Sequence, residues 1–307
     1  MENIYQDIGI AWVWQYDREF VEIIEEAARP FGLTTFRLEH HNITEFTEAF
    51  KKHEAGIRVL LDRASDEDEL FQPLARYVAQ HRPDVRVINP HHLQTRAADK
   101  ATMHLEFLSH GIDVPYTIII SPYDHKREME LSLSELANLG RPFIIKPANT
   151  TGGGIGVVLG AETLKDILEA RQHHRKDKYL LQETIKPVYL SENRAWFRVI
   201  FAFGEIFPCW WDDQTHLYEI VTAEEEEVFG LHRLRDLTKR IQAICGLDFF
   251  STEIVHTPQD KLVVVDYVNE ICDMRLQSVH RDGVPDTIVR RIAEGLARSA
   301  ARIPGGS

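Results

Sequence analysis

The sequence predicts a mixed α and β chain built from more than one packed unit, and three observations lead there. Residues 1–95 alternate β-rich with helical runs. Three successive glycines, then Ile155 and Gly156, separate two apolar strand-like runs. The final third opens with a long antiparallel-looking stretch and closes with a hairpin and a helix. At 307 residues the chain exceeds one ordinary core, which favours two or three units.

The elements follow in order. IGIAWVW (8–14) reads as a strand and REFVEIIEEAARPFG (18–32) as an amphipathic helix with a Pro–Gly exit. TTFRLE (34–39), IRVLLD (57–62) and VRVINP (85–90) are β-branched runs. The helical EFTEAFKKHEAG and DELFQPLARYVAQHRP separate them, which implies a parallel sheet with crossover helices. No G-x-G-x-x-G turn follows the first strand, so this is not read as a dinucleotide site. RAADKATMHLEFLSHG (96–111) predicts one helix stopping at Gly111, then IDVPYTIII a strand and EMELSLSELANLG a helix. PFIIKPANTTGGGIGVVLG reads as strand, glycine loop, strand; AETLKDILEARQHHRKD as a helix; YLLQETI as a strand ending near Lys186-Pro187, a natural boundary. AWFRVIFAFGEIFPCWW looks antiparallel. EEEEVFGLHRLRDLTKRIQAICG (224–246) predicts one helix whose acidic run sits at its N-terminus, and DTIVRRIAEGLARSAARI a last one.

Composition bounds the function. Hydrophobic residues at 44% and charged ones at 27% describe an ordinary globular chain. With 35 Lys+Arg against 48 Asp+Glu, the net charge of −13 disfavours nucleic acid or an anionic membrane as partner. Cys209, Cys245 and Cys272 are odd in number and lack CxxC spacing, which argues against a disulfide framework or structural zinc and fits a cytoplasmic setting. The start has no basic region, and no apolar run approaches the ~18 residues of a membrane span. The adjacent histidine pairs, such as His173-His174, read as solvated surface, and Trp210-Trp211 as a packed pair.

The segment IIKPANTTGGGIGVV is the most informative. A glycine-rich hairpin tip exposes many backbone N–H groups and can fold over a polyphosphate without side chains in the way. Lys146, alone on an apolar strand, must reach an anion or extend to solvent. The plainer alternative is a flexible surface hairpin with an exposed lysine. It is not a Walker A loop, since no Gly-Lys-Ser/Thr ends it.

A second signal comes from spacing. FFSTEIVHTPQDKLVVVDYVNE holds two strand-like runs around a turn. A turn centred between Gln259 and Asp260 sets Glu253 directly opposite Asp266, with Cβ atoms roughly 5 Å apart. Opposed like charges destabilise a half-buried sheet, and a divalent cation between them resolves the conflict. The alternative is a shifted turn that leaves both acids in solvent. Asn269 follows Asp266 by three residues, which in a regular strand points it to the other face, so a bulge or the strand's end is needed. Arg275, nearby, is a candidate for gripping a substrate carboxylate; the alternative is an ion pair with Asp273.

Together these pieces resemble the ATP-grasp superfamily, most nearly its ribosomal-S6-modification-like and glutathione-synthetase-like carboxylate–amine ligases. The resemblance covers roughly residues 85–280. INPHHLQTRAADKATMHLEFLSHGIDVPYT is similar to the entry segment, PFIIKPANTTGGGIGV to the core lysine and phosphate loop, and YLLQETI to the adenine hinge. RAWFRVIFAFGEI is similar to the strand with a phosphate-contacting arginine, and GLDFFSTEIV with LVVVDYVNE to the metal-ligand strands.

The resemblance implies an α+β ATP-grasp fold, with two α+β subdomains (96–186 and 187–307) clasping ATP behind a small Rossmann-like α/β domain (1–95). It implies that Lys100 and Lys146 contact phosphates, that Gly152, Gly153, Gly154 and Gly156 close over them, and that Gln182 and Glu183 lie by adenine and ribose. It gives Arg198 to the γ-phosphate, with Arg194 competing for that role or for substrate. Glu253, Asp266 and Asn269 would hold two Mg²⁺ ions, Mn²⁺ being a candidate substitute. Two departures stand out: Asp266 and Asn269 are three apart rather than two, with no following proline, and Glu253 stands where aspartate is commoner.

The expected activity is an ATP-dependent ligase that forms a C–N bond through an acyl phosphate, from small-molecule or peptide carboxylate and amine substrates. A homodimer is a family-level expectation. The rivals are a kinase of the same fold and a nucleotide-binding module without catalysis; intact Lys146, Glu253 and Asp266 argue against the module.

Overall fold

The computed structural model describes residues 4–149 and 154–303. Among them the chain builds three larger sheets and one two-stranded pair. The first holds β1 (Ile4–Trp12), β2 (Thr35–Leu38), β3 (Ala55–Arg63) and β4 (Arg86–Ile88), all parallel, in the order β2-β1-β3-β4. Helices α1 (Arg18–Ala28), α2 (Ile43–Lys51) and α3 (Gln72–His81) cross between the strands, as the β/α alternation predicts. The order reverses between β1 and β3, so the carboxyl ends of these two strands form the switch point of the sheet. Asp17 and Arg63 meet there as a bidentate pair at 2.7 and 2.8 Å, both buried.

The predicted helix over 96–111 is in fact two, α4 (His91–Ala98) and α5 (Lys100–Ser109). Asp99 breaks them. Its backbone is extended, and its side chain accepts from the N–H groups of Ala101 and Thr102, capping α5. Then come β5 (Thr117–Ile120), α6 (Leu133–Leu139), β6 (Phe143–Pro147), β7 (Val158–Ala161), α7 (Leu164–Ala170) and β8 (Tyr179–Glu183). The four strands form an antiparallel sheet in the order β5-β8-β6-β7.

A short pair, β9 (Tyr189–Leu190) and β10 (Asn193–Arg194), leads into β11 (Trp196–Ala202), β12 (Glu205–Trp211) and β13 (Tyr218–Ile220). The helix expected over 224–246 also divides, into α8 (Ala223–Val228) and α9 (His232–Cys245), because Gly230 takes a left-handed φ of 65°. Thr222 and Glu225 form a capping box for α8, which places the acidic run at a helix N-terminus as the sequence suggests. β14 (Phe249–His256) and β15 (Leu262–Asn269) complete a five-stranded antiparallel sheet, β13-β12-β11-β14-β15. The last helix, α10 (Asp286–Ala301), returns to the first sheet. Ile288, Val289, Ile292 and Leu296 share one core with Phe20 and Ile24 of α1 and with Ile200 and Phe207 of β11 and β12. Among the described residues no helix is long and apolar enough to cross a membrane.

Candidate active site

The site forms where β6 and α5 meet β11, β14 and β15. The β14–β15 turn is not where the sequence puts it. The pairs Ile254–Val264, Val255–Val263 and His256–Leu262 centre it on Gln259. The register then shifts between Ile254 and Glu253, where β15 takes one extra residue, Val265. This bulge restores Glu253 opposite Asp266. A second shift follows, and Asn269 pairs with Ser251, so the three-residue spacing from Asp266 to Asn269 spans a bulge rather than regular strand.

The bulge also frees a carbonyl. Lys146 Nζ on β6 donates to Val265 O at 2.9 Å and lies 5.2 Å from the ring centroid of Tyr267. Lys146 is only 6% exposed. Burial pulls its ammonium down from 10.5 to about 8, with Asp266 opposing and Lys100 adding to the fall. Lys100, at the first position of α5, stands 3.4 Å from Asp266 Oδ1. A lysine at the positive end of a helix needs such an anion nearby. Its backbone N–H donates to Ala148 O (3.0 Å), tying the helix start to the end of β6.

Arg198 sits on β11 directly across from Glu253 on β14. Its Nη1 lies 3.6 Å from Glu253 Oε1, its Nε donates to Ser251 Oγ (3.4 Å), and its guanidinium lies 4.8 Å from the Trp211 ring. Trp196 Nε1 donates to Glu253 Oε2 at 3.1 Å. The Asn269 amide, with its oxygen toward the guanidinium, accepts from Arg198 Nη2 (3.1 Å) and donates to Ile271 O (3.1 Å). Three cations thus converge with two carboxylates and one amide oxygen.

The two acids respond in opposite directions. Burial raises the Glu253 carboxyl; Arg198 resists and Asp266 adds to the rise. For Asp266, burial also pushes upward but Lys100, Lys146 and Arg198 outweigh it, and the carboxyl falls to about 2. Among the described residues no three His, Cys, Asp or Glu side chains group to hold a metal. Two hard carboxylates and an amide oxygen do fit Mg²⁺, which commonly takes one or two protein carboxylates and fills its octahedron with phosphate and water.

No protein-family model and no curated protein matches the sequence. Solved structures do match. A RimK domain ATP-grasp protein from Sphaerobacter thermophilus is 18% identical, with TM-score 0.63 over 95% of this chain and 98% of that one. The macrocyclase MdnB from Microcystis aeruginosa is 15% identical, with TM-score 0.61 over 96% and 99%. The ATP-grasp ligase PsnB, complexed with minimal precursor, Mg and ADP, is 13% identical, with TM-score 0.64 over 96% and 97%. The chain has the ATP-grasp fold.

On this fold the remaining expected residues are placed as follows. Gly152 and Gly153 lie outside the described residues. Gly154 and Gly156 take φ of 79° and 75°, which L side chains rarely adopt, and a Cβ at Gly156 would meet Pro147 Cγ at 3.0 Å. Glu183, at the end of β8, accepts from Tyr116 N–H at 2.6 Å and so fastens the entry to β5. Gln182 is buried and donates to the Tyr267 hydroxyl at 2.9 Å. Arg194 pairs with Asp213 rather than with the cluster. Arg275 is held by Asp273 (2.7 Å) and Asp282 (2.8 Å) and lies against Trp14 and Tyr16, so the ion-pair alternative describes it as it stands.

Sequence reading missed Trp196, Ser251, Tyr267 and His104 around the cluster. His104 had a signal. It lies four residues after Lys100, hence on the same face of α5.

Proposed function

We propose that the protein is an ATP-dependent ligase that joins a carboxylate to an amine. The observation that carries this reading is the convergence of Lys100, Lys146 and Arg198 on the opposed acids Glu253 and Asp266 within an ATP-grasp fold. The ligase PsnB has been solved with Mg and ADP, and also with a precursor peptide and AMPPNP, which supports ATP, Mg²⁺ and a peptide substrate here. MdnB is a macrocyclase, and the macrocyclase MdnC was solved bound with a precursor peptide, which supports bond formation on a peptide. In this reading the segments 96–186 and 187–307 clasp the nucleotide behind residues 1–95, in a cytoplasmic protein.

Lys100 and Lys146 bind the phosphates, and Arg198 faces the γ-phosphate, where it neutralises charge developing on the transferred group. Glu253, Asp266 and Asn269 hold Mg²⁺, which when bound neutralises and orients the phosphate oxygens. A substrate carboxylate oxygen attacks the γ-phosphorus, the bond to the bridging oxygen breaks, and ADP leaves. The amine nitrogen then attacks the acyl carbon, loses a proton and expels phosphate. The glycine loop excludes water from this reactive acyl phosphate.

The test incubates the full chain with ATP, Mg²⁺ and pools of peptides and amino acids, following ADP and product mass. Amine-dependent ADP release with an amide product is expected. A stable phosphorylated product would instead identify a kinase, and tight ATP binding without turnover a binding module.

A further inference from the structure

Tyr267 lies between Asp266 and Val268 on β15 and is fully buried. Its hydroxyl is 2.9 Å from Gln182 Nε2 and 2.7 Å from His104 Nδ1. The amide nitrogen of Gln182 donates to the hydroxyl oxygen, and the hydroxyl and His104 Nδ1 share one hydrogen whose donor is set by the ring tautomer. Burial, with Lys146 adding to it, pushes His104 down to about 4, which keeps that ring neutral. Gln182 Nε2 also reaches Thr117 Oγ1 at 3.3 Å. Phe107 meets the tyrosine ring edge-on, at 5.6 Å and 83°. Side chains from α5, β8 and β5 therefore fix both the tilt and the rotation of one ring.

That ring is the platform of Lys146, 5.2 Å from the ammonium nitrogen. An ammonium has three hydrogens. One goes to Val265 O, which leaves the ring face to take a second and a third free for an incoming anion.

We propose that Tyr267 is the positioning residue of Lys146. Its ring face holds the ammonium toward the phosphate space, and its hydroxyl, tied to His104 and Gln182, stops the ring from turning away. This rests on the nucleotide-binding reading above.

The test measures affinity for Mg-ATP and for adenosine by titration calorimetry in the full chain, for wild type, Tyr267→Phe and Tyr267→Leu. Adenosine has no phosphate for Lys146 to bind. Removing the ring in Y267L should weaken Mg-ATP about tenfold or more while adenosine stays within about twofold, since cation–π contacts gain strength when desolvated. Y267F keeps the ring but loses its tether, and about a threefold loss for Mg-ATP alone is expected. Parallel loss of both ligands marks a merely structural residue and overturns the proposal, as does unchanged Mg-ATP affinity in the variants. If Y267L does not fold, Y267F decides by the same comparison. A wild-type chain that binds no Mg-ATP overturns the nucleotide reading itself, whereas wild-type binding with unaffected variants overturns this inference alone.

Discussion

Glu253 faces Asp266 across the β14–β15 hairpin because β15 carries an extra residue, Val265, beside the pair. Without that bulge the turn register would set Glu253 against Val265, and Asp266 would project from the opposite face. The bulged carbonyl is itself used, as the acceptor for Lys146.

Opposed carboxylates cost stability when no cation lies between them. Glu253→Gln removes one of the two charges and leaves an oxygen for Trp196. Because burial raises the Glu253 carboxyl above its ordinary value, folding disfavours its charged form. The metal-free variant is therefore expected to gain up to ~1 kcal/mol, seen as a rise of roughly 2–4 °C in Tm by calorimetry. Mg²⁺-dependent turnover should vanish in the same variant. A fall in Tm would count against the like-charge account.

Lys146 predicts a pH dependence. Between about 8, its folded value, and 10.5, its ordinary one, the folded chain binds fewer protons at this site than the unfolded chain. Stability then rises with pH across that window and is lost as pH falls through about 8. Relative to Lys146→Met, the wild type should gain up to ~3 kcal/mol between these limits. Urea unfolding at several pH values measures it, and parallel curves for the two proteins would refute it.

The Arg63–Asp17 pair is buried on both sides, and Arg63 also donates to Cys272 O at 2.8 Å in the segment that follows β15. Arg63→Met leaves a buried carboxylate and a bare carbonyl, and should cost about 3–5 kcal/mol in denaturant unfolding. The double variant with Asp17→Leu should cost less than that single change. If the two losses simply add, the pair is not coupled.

Gly283 admits no side chain. A Cβ there would lie 2.5 Å from Arg275 O and 2.6 Å from the carbonyl carbon of Leu276, both backbone. Gly283→Ala should cost about 1–3 kcal/mol, as overpacking does. Chemical denaturation reads it, and a neutral result would mean that the 275–284 segment yields freely.

Much of this was legible in the sequence. The parallel first sheet follows from β/α alternation, and the opposition of Glu253 and Asp266 from a hairpin count. Yet that count reached the right pair with a turn half a residue off, and a bulge made up the difference, because turn geometry is set locally and register by which side chains are buried. The breaks at Asp99 and Gly230 were hidden inside good helical periodicity; a cap and a left-handed glycine override it. Tyr267 and His104 could not be paired by spacing, since 163 residues separate them and only the packing of α5 against β15 brings them together.

The return of α10 to the first sheet makes the beginning and end of the described chain one neighbourhood. Arg58 on β3 donates to the carbonyls of Ala300 and Ile303, and Arg290 stands 3.6 Å from Glu26 on α1. Residues 4–95 expressed alone would bare the apolar flank of α1 to water and tend to aggregate. A permuted chain that joins the two ends through a short linker and opens elsewhere would keep that flank covered, and is the better design for dissecting this protein.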